Sequence, residues 1–342
     1  MRGFVISMIL AIALAPTVWL REDLPPRVET LALTYAPVAL PDERRLAGQL
    51  GEFRLEKIWH LDSKHHGFGG FSALVPLADG RFMAFSDRGW QMAFSPPGEP
   101  EADPSLEPVL KQPQEVKANG DVEAATVDPE TGKVWLGWES RNAISRLDAD
   151  HRLERMEQLP QMADWGANSG PEAMTRLSDG RFVVLREGFS GLFEDRRHKA
   201  LLFDDDPVLG GRGAEFIFAG PADYSPTDMA QLPDGRVLIL MRKLLWPLPA
   251  RFACLILIAD PEAIKAGATW SGEVVARLSS ALPVDNLEGL AITPGKADRA
   301  TVWLISDDNG AAFQRTLLWK LSVDPARLPQ ASKKARDHGR TP

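Results

Sequence analysis

The stretch GGFSALVPLADGRFMAFSDRG, residues 69–89, contains two short apolar runs separated by Asp79-Gly80 and ends in charged residues. Asp-Gly between apolar runs is a strong signal for a β-hairpin, because glycine accepts a positive φ angle without strain. Four further segments follow the same plan of a small or acidic opening residue, an apolar run, a Gly-containing turn, and a second run with a charged end. They are residues 121–141, 169–188, 225–243 and 285–310.

The spacing of these hairpins predicts a β-propeller. The residues that open the repeats are spaced 51, 49, 56 and 60 positions apart, so each unit has room for a hairpin and two further strands. Four short strands repeated about every 50 residues are typical of propeller blades. The residues taken as equivalent are Ser72, Glu123, Glu172, Asp228 and Glu288.

The predicted fold class is all-β, a propeller of six four-stranded blades, with five or seven blades as alternatives. For the outer strands of two repeats we assign residues 144–147 with 153–159, and 201–203 with 215–219. A strand at 53–61 precedes the repeats. Pairing it with the final strand in one blade would close the ring and hide the sheet edges.

Composition and hydropathy divide the chain of 342 residues into four parts. We predict a signal peptide or N-terminal membrane anchor at 1–20, a linker at 21–46, the propeller at 47–325 and a polar tail at 326–342. Residues 3–20 are almost all apolar and follow Arg2, which is typical of a secretory signal. About 17 apolar residues is also the lower limit for a membrane span. A buried N-terminal helix is the structural alternative.

Export would place the protein in the periplasm or outside the cell, with anchoring in the inner membrane if the N-terminal segment stays uncleaved. The net charge of -8 argues against nucleic acid as a partner, because phosphate contacts need clustered Lys and Arg. We expect a monomer that contacts the membrane only through that segment. The single cysteine, Cys254, lies in an apolar run and is predicted to be buried.

Four sequence elements resemble those of a known family. GGFSALVPL…FSDRGW (69–90), DVEAATVD (121–128), GPEAM (170–174) and NLEGLAI…LISDDN (286–309) are similar to the bacterial family with "esterase-like activity of phytase". The resemblance covers about residues 50–325 and implies a β-propeller, export, and a phosphoesterase or esterase activity. It carries over no catalytic residue. The family usually has a glycine directly after the residue that opens each repeat. Gly289 matches this pattern, whereas the other repeats have Ala73, Ala124, Ala173 and Met229.

The acids that open four repeats are candidate metal ligands. Inner propeller strands line the central channel, so these acids are predicted to meet around one mouth, where like charges repel. Ca²⁺ would relieve the repulsion, since it takes 6–8 oxygen ligands, whereas no His or Cys recurs to favour zinc. The alternative is that each acid accepts backbone N–H groups or pairs with an arginine of the next blade. The candidates are Glu123, Glu172, Asp228 and Glu288.

The charged ends of the second strands supply candidate catalytic residues, because antiparallel pairing places them near the start of the first strands. Arginine suits bidentate binding of phosphate or carboxylate, although these arginines would equally neutralise the acids. A histidine before the loop 67–70 would act as a general acid or base, or lie on the surface. The candidates are Asp87, Arg88, His66, Arg242 and Asp307.

These features predict metal-assisted hydrolysis of a small anionic or ester substrate at the channel mouth, although whether the protein is an enzyme stays open. A non-catalytic binding propeller of the cell envelope is the first alternative. The second is a calcium-dependent lactonase, which would want Asn286 or Asn309 beside the acids. No Gly-x-Ser-x-Gly motif is present, which argues against a serine esterase of the elbow type. The apolar segment 244–249 is predicted to cover the mouth or to pack on a neighbouring blade.

Overall fold

The computed structural model describes residues 28–42, 46, 48–99, 102–110, 120–166, 169–188, 197–247, 249–279 and 282–330. The predicted signal or anchor segment at 1–20 and residues 331–342 of the predicted tail lie outside these ranges. Among the described residues, no helix has the length and hydropathy of a membrane span.

The described residues form five sheets, each one blade. The chain first forms β1 (Thr34–Pro37) and β2 (Arg54–Asp62). Blade 1 contains β3 (Phe71–Pro76), β4 (Phe82–Ser86), β5 (Trp90–Phe94) and β6 (Ser105–Pro108). Blade 2 contains β7 (Val122–Val127), β8 (Val134–Trp138), β9 (Ala143–Leu147) and β10 (Leu153–Gln158). Blade 3 contains β11 (Pro171–Arg176), β12 (Phe182–Arg186), β13 (His198–Phe203) and β14 (Ala214–Ala219).

Blades 4 and 5 complete the ring. Blade 4 contains β15 (Ser225–Gln231), β16 (Val237–Pro247), β17 (Ala250–Ala259) and β19 (Glu273–Leu278). The short β18 (Thr269–Ser271) lies parallel to β14 at the edge of blade 3. Blade 5 contains β20 (Asn286–Pro294), β21 (Ala300–Asp307) and β22 (Leu317–Val323), followed outward by β2 and β1. Four short 3-10 helices lie in the described connections, at Pro160–Met162, Pro207–Leu209, Pro261–Ala263 and Pro325–Arg327.

The described chain forms five blades, so the prediction of six is wrong and the alternative of five is confirmed. The sequence interpretation places the final strand with the strand at 53–61 in a sixth blade, but β22 pairs with β21 and is the third strand of the last repeat. β2 pairs with β22 and supplies the fourth strand. The first and last strands therefore share a blade, as expected, but that blade is the fifth. The inner strands β3, β7, β11, β15 and β20 are neighbours in that order, and β20 contacts β3.

The predicted hairpins and outer strands are confirmed. Gly80 and Gly235 have φ angles of 85° and 93°, as the tight turns of blades 1 and 4 require. The outer strands expected for repeats two and three are β9 with β10 and β13 with β14. Residues 34–37, inside the predicted linker, form β1 and pair with β2.

The core lies between the faces of adjacent blades. Trp135 of blade 2 packs edge-on against Phe182 of blade 3, with ring centroids 5.0 Å apart. Trp138 and Trp319 are fully buried in their strands, and Cys254 is buried on β17 as predicted. These buried side chains fill the space between blades, and this packing fixes the positions of the inner strands around the channel.

Candidate active site

Each inner strand contains a β-bulge close to its start. The register of the inner hairpin shifts by one residue at this point, so one residue in each blade has no partner opposite. A bulge re-aims the side chain that it carries. We call these five equivalent residues the first ring, which is made of Ser72, Glu123, Glu172, Thr227 and Glu288.

A second ring is formed where the second strand of each blade ends. Its residues lie opposite the position two residues before the bulge, as in the pairs Arg242 with Ser225 and Asp307 with Asn286. In blades 1 to 3 the amide of the ring residue donates to the carbonyl at that position, over 2.8, 2.9 and 3.2 Å. The second ring consists of Asp87, Glu139, Glu187, Arg242 and Asp307.

The two rings together bring seven carboxylates and one arginine to the same mouth. Blade 4 contributes no carboxylate to either ring, since its residues are a threonine and the arginine, whereas blade 1 contributes a serine to the first ring. Ser72 and Thr227, the two hydroxyls of the first ring, donate to the carbonyls of Val122 and Leu287 in the next blades, over 2.5 and 3.4 Å. The rings therefore link adjacent blades as well as lining the mouth.

Two overlapping groups of carboxylates have the spacing of a metal site. One group consists of Asp121, Glu123 and Glu139, and the other of Glu139, Glu172 and Glu187. Within each group the nearest carboxylate oxygens all lie within 4.8 Å of one another. We call them the carboxylate triads; they share Glu139 and connect blades 2 and 3.

Burial and mutual repulsion raise the proton affinity of these acids. The pKa of Glu123 is well above its usual range because the group is buried and close to Glu172 and Glu288. Burial also raises the pKa of Glu172, with further increases from Glu187 and Glu139. The pKa of Glu139 is raised to about 7 by burial and by the charges of Asp121 and Glu187. At neutral pH such a cluster holds protons or attracts a cation.

Arg242 is the positive centre of the mouth. Its guanidinium donates to Glu288, to the Asn286 side-chain oxygen at 2.5 Å, and to Glu187 at 3.4 Å. Burial alone would lower the pKa of Arg242, but Glu288, Glu187 and nearby acids raise it. The same charge lowers the pKa of Glu288, which burial nevertheless keeps above its usual value.

Asn286 connects this arginine to the acids of blade 5. Its amide nitrogen donates to Glu288 at 2.8 Å and to Asp307 at 3.4 Å. The pKa of Asp307 is raised well above its usual range by burial and by the charges of Glu288 and Asp87. The side-chain oxygen of Asn286 is directed at Arg242. Asn309, the other asparagine considered for a lactonase, is exposed and donates its backbone N–H to Asp307 at 2.7 Å.

The family model described as "Phytase-like: Esterase-like activity of phytase" matches residues 66–310. The chain belongs to this family. The matched range contains both rings in full, from Ser72 to Asp307. The family resemblance in the sequence is thereby confirmed. No curated protein matches the sequence of the chain.

Solved structures similar to this member of the phytase-like family share little sequence with it. The glutaminyl cyclase of Myxococcus xanthus is 13% identical, with a TM-score of 0.45, and the alignment covers 79% of this chain and 97% of that one. A luciferin-regenerating enzyme is 14% identical, with a TM-score of 0.41 and coverage of 84% and 95%. Hydrazine synthase of Kuenenia stuttgartiensis is 14% identical, with a TM-score of 0.36 and coverage of 70% and 77%. At this level of similarity they indicate no activity for this chain.

The four predicted metal ligands separate into three environments. Glu123 and Glu172 belong to the carboxylate triads, whereas Glu288 is paired with Arg242. Asp228 lies one residue beyond the bulge of its strand, because Thr227 is the true equivalent of the glutamates. Asp228 is fully buried and accepts the N–H groups of Met229 and, in the next blade, Leu290.

The predicted catalytic residues also divide into two sets. Asp87, Arg242 and Asp307 are members of the second ring. Arg88 follows the ring, and its guanidinium donates to the carbonyl of Phe68. The His66 ring packs edge-on against Trp90, with centroids 5.0 Å apart, and its Nδ1 lies 3.2 Å from the carbonyl oxygen of Val28.

Three residues of the triads were absent from the predicted metal set. Glu139 and Glu187 lie in the charged strand ends that the sequence places beside the first ring, and the structure agrees with that placement. For Asp121 the sequence indicates a metal ligand only weakly, through its position two residues before Glu123. Its carboxylate also accepts the backbone N–H of Ser140 at 3.1 Å, which ties it to the end of β8.

The opposite mouth of the channel differs in chemistry. It opens into a cavity of about 1270 Å³ lined by the hairpin turns and the far ends of the inner strands. Its lining mixes residues of both charges, such as Arg176, which lies 3.6 Å from Asp128, with neutral polar residues such as Thr175 and Gln231. Among the described residues, both groups with metal-site spacing lie at the first mouth.

Proposed function

We propose that this propeller hydrolyses phosphate or carboxylic esters at the acidic channel mouth with the help of a divalent cation, Ca²⁺. The observation that carries the proposal is the pair of carboxylate triads sharing Glu139. The description of the family as having the esterase-like activity of phytase supports the type of reaction.

The donor set fits calcium better than zinc. Ca²⁺ binds oxygens at 2.3–2.6 Å, so ligands on opposite sides of the ion are about 4.6–5.2 Å apart. The triad oxygens lie within 4.8 Å of one another, close enough to bind one such ion. Every member is a carboxylate, whereas structural and catalytic zinc sites use His or Cys. Asp228 and Glu288 are left out of this ligand set, because their carboxylates are taken up by Leu290 and Arg242.

A bound cation would polarise an ester oxygen and lower the pKa of a water ligand. The chain's own residues would hold the cation and supply charge. Glu139, whose pKa is raised to about 7 in the absence of a cation, would release its proton when the cation binds. Arg242 keeps a positive charge among the acids, which favours the approach of an anionic substrate. Glu187 and Asp307 flank it in the second ring, and Asp87 follows Asp307.

The test is hydrolysis of p-nitrophenyl phosphate and p-nitrophenyl acetate by the purified chain, with Ca²⁺ and with EGTA. We expect turnover of at least one ester with Ca²⁺ and its loss with EGTA. Glu139→Gln removes the ligand common to both triads and should weaken Ca²⁺ binding, measured by calorimetry, together with turnover. Glu130→Gln is the matched control, because Glu130 is exposed in the turn of blade 2.

The second candidate is a propeller that binds without catalysing. The ion pairs of Arg242 with Glu288 and Glu187 favour it, since they neutralise part of the ring without a cation. Calcium binding without turnover of either ester would support this alternative. Absence of calcium binding would remove the metal-assisted mechanism. We further propose export to the periplasm or beyond, which the apolar residues 3–20 support, and a monomeric state.

A further inference from the structure

One hairpin extends well beyond the acidic mouth. β16 runs from Val237 to Pro247, and its residue Arg242 already lies in the second ring. The strand continues for five residues past this point and returns through β17. Leu244, Leu245 and Trp246 in the extension are 52%, 45% and 59% exposed. The described residues 244–247 and 249 therefore belong to a projecting hairpin, whereas the sequence alone predicts either a cover over the mouth or packing on a blade.

A second exposed apolar side chain lies at the same end of the ring. Phe313 is 62% exposed in the connection between β21 and β22, six residues after Asp307 of the second ring. Seven large apolar side chains are exposed among the described residues. Four of them, on neighbouring blades 4 and 5, lie at the mouth end, and single exposed apolar residues elsewhere are ordinary.

The described chain also begins at this end. Val28, where the described chain begins, accepts the backbone N–H of His66 at 3.1 Å. His66 lies just before Gly70, whose carbonyl accepts the amide of Asp87 in the second ring. Eight residue steps separate Leu20, the end of the apolar N-terminal stretch, from Val28, and they span at most about 29 Å. If residues 3–20 are held in a bilayer, as predicted for an uncleaved anchor, that bilayer lies close to this face.

The charges around the hairpin tip suit a lipid interface. Although the chain has a net charge of -8, Lys243, which pairs with Asp223 at 3.1 Å, precedes the apolar tip, and the exposed Arg251 lies opposite Trp246 in the hairpin. Basic residues next to exposed Trp and Leu side chains are the pattern of segments that bind anionic membrane surfaces. Tryptophan in particular favours the headgroup region.

We propose that the face bearing the acidic mouth docks on a lipid bilayer. Leu244, Leu245, Trp246 and Phe313 enter the headgroup region of the same membrane that holds residues 3–20. The docked face is thus a second membrane contact, separate from the N-terminal segment, and the channel mouth opens towards the lipid headgroups. This inference does not depend on the proposed hydrolase activity.

The test uses the full chain reconstituted in vesicles of phosphatidylcholine and phosphatidylglycerol. Cys254 is the single cysteine and is fully buried, so nitroxide labels react with introduced cysteines. Labels are placed by Leu245→Cys and Phe313→Cys, and by Asp150→Cys in an exposed turn at the other end of blade 2 as control. Electron paramagnetic resonance then measures how often each nitroxide collides with oxygen, which enters lipid, and with a water-soluble nickel chelate present on both sides of the bilayer.

We expect the labels at 245 and 313 to shift towards oxygen and away from the nickel chelate, while the label at 150 stays accessible to the chelate. The double change Leu245→Ser with Trp246→Ser should abolish the shift at 313 without altering thermal unfolding, because both side chains are exposed. Equal nickel accessibility at 245, 313 and 150 would overturn the proposal. Dipolar broadening between labels on separate chains would also overturn it, in favour of contact between two copies.

Discussion

The carboxylate of Asp228 accepts a hydrogen bond of 2.6 Å from the backbone N–H of Leu290 in the next blade. Its other oxygen accepts the N–H of Met229 at 2.8 Å. Burial raises the pKa of Asp228 well above its usual range, and these two N–H groups oppose that rise. Asp228 therefore fastens blade 4 to blade 5, although its place in the sequence repeat suggests a member of the acidic mouth.

Replacing Asp228 should weaken the fold and leave cation binding unchanged. Asp228→Ala removes the acceptor of two buried N–H groups, each of which costs about 1–3 kcal/mol when left unpaired. Urea denaturation followed by tryptophan fluorescence measures the loss. Asp228→Asn keeps one acceptor oxygen and should lie between wild type and Asp228→Ala. Weaker calcium binding by Asp228→Ala at unchanged stability would identify the residue as a ligand instead.

Gly70 should be essential for the position of Asp87. Its φ angle is +69°, and a Cβ atom there would lie 2.2 Å from the Asp87 carboxylate oxygen Oδ1. Gly80, with φ of +85°, has open space at the same position and is the matched control. Gly80→Ala should cost about 1–2 kcal/mol from backbone strain alone, and Gly70→Ala clearly more. Equal losses in the free energy of unfolding would show that Asp87 moves away at no cost.

The repeat pattern was sufficient to predict the propeller, but the number of blades depended on one strand. Hairpin signals such as Asp79-Gly80 are local, whereas the partner of β22 is set by which strands meet when the ring closes. The acidic mouth followed from the repeats in the same way. The position of a one-residue bulge decides whether Thr227 or Asp228 belongs to the first ring. Such a shift of register cannot be predicted from the spacing of apolar residues.

Removing the charge of Arg242 should strongly destabilise the protein near neutral pH. The residue offsets Glu288 and Glu187, and deleting one partner of a largely buried ion pair costs about 3 kcal/mol or more. Arg242→Met should therefore lower the midpoint of urea unfolding, and adding Glu288→Gln should restore part of it. The neighbouring Lys243→Met is the control, since its exposed pair with Asp223 is worth about 0–1 kcal/mol. A double variant no more stable than Arg242→Met alone would contradict the pairing.

Without a divalent cation, the stability of the protein should fall as pH rises through neutrality. Burial and the charges of Asp121 and Glu187 raise the pKa of Glu139 from 4.5 to about 7. The folded chain thus keeps this proton to a higher pH than the unfolded chain does. The stabilising contribution is fully present below about pH 4.5 and is lost as pH rises through about 7.

Urea unfolding of the wild type in EGTA, from about pH 5 to about pH 8, should show this fall, with up to about 3 kcal/mol arising from Glu139. Glu139→Gln should flatten the profile, because the glutamine has no proton to lose, whereas the exposed control Glu130→Gln should keep it. Calcium should increase the free energy of unfolding mainly at the alkaline end of this pH range, since a cation held by the triads stabilises their ionised form. A profile in Glu139→Gln as steep as that of the wild type would mean that other acids of the rings carry the titration.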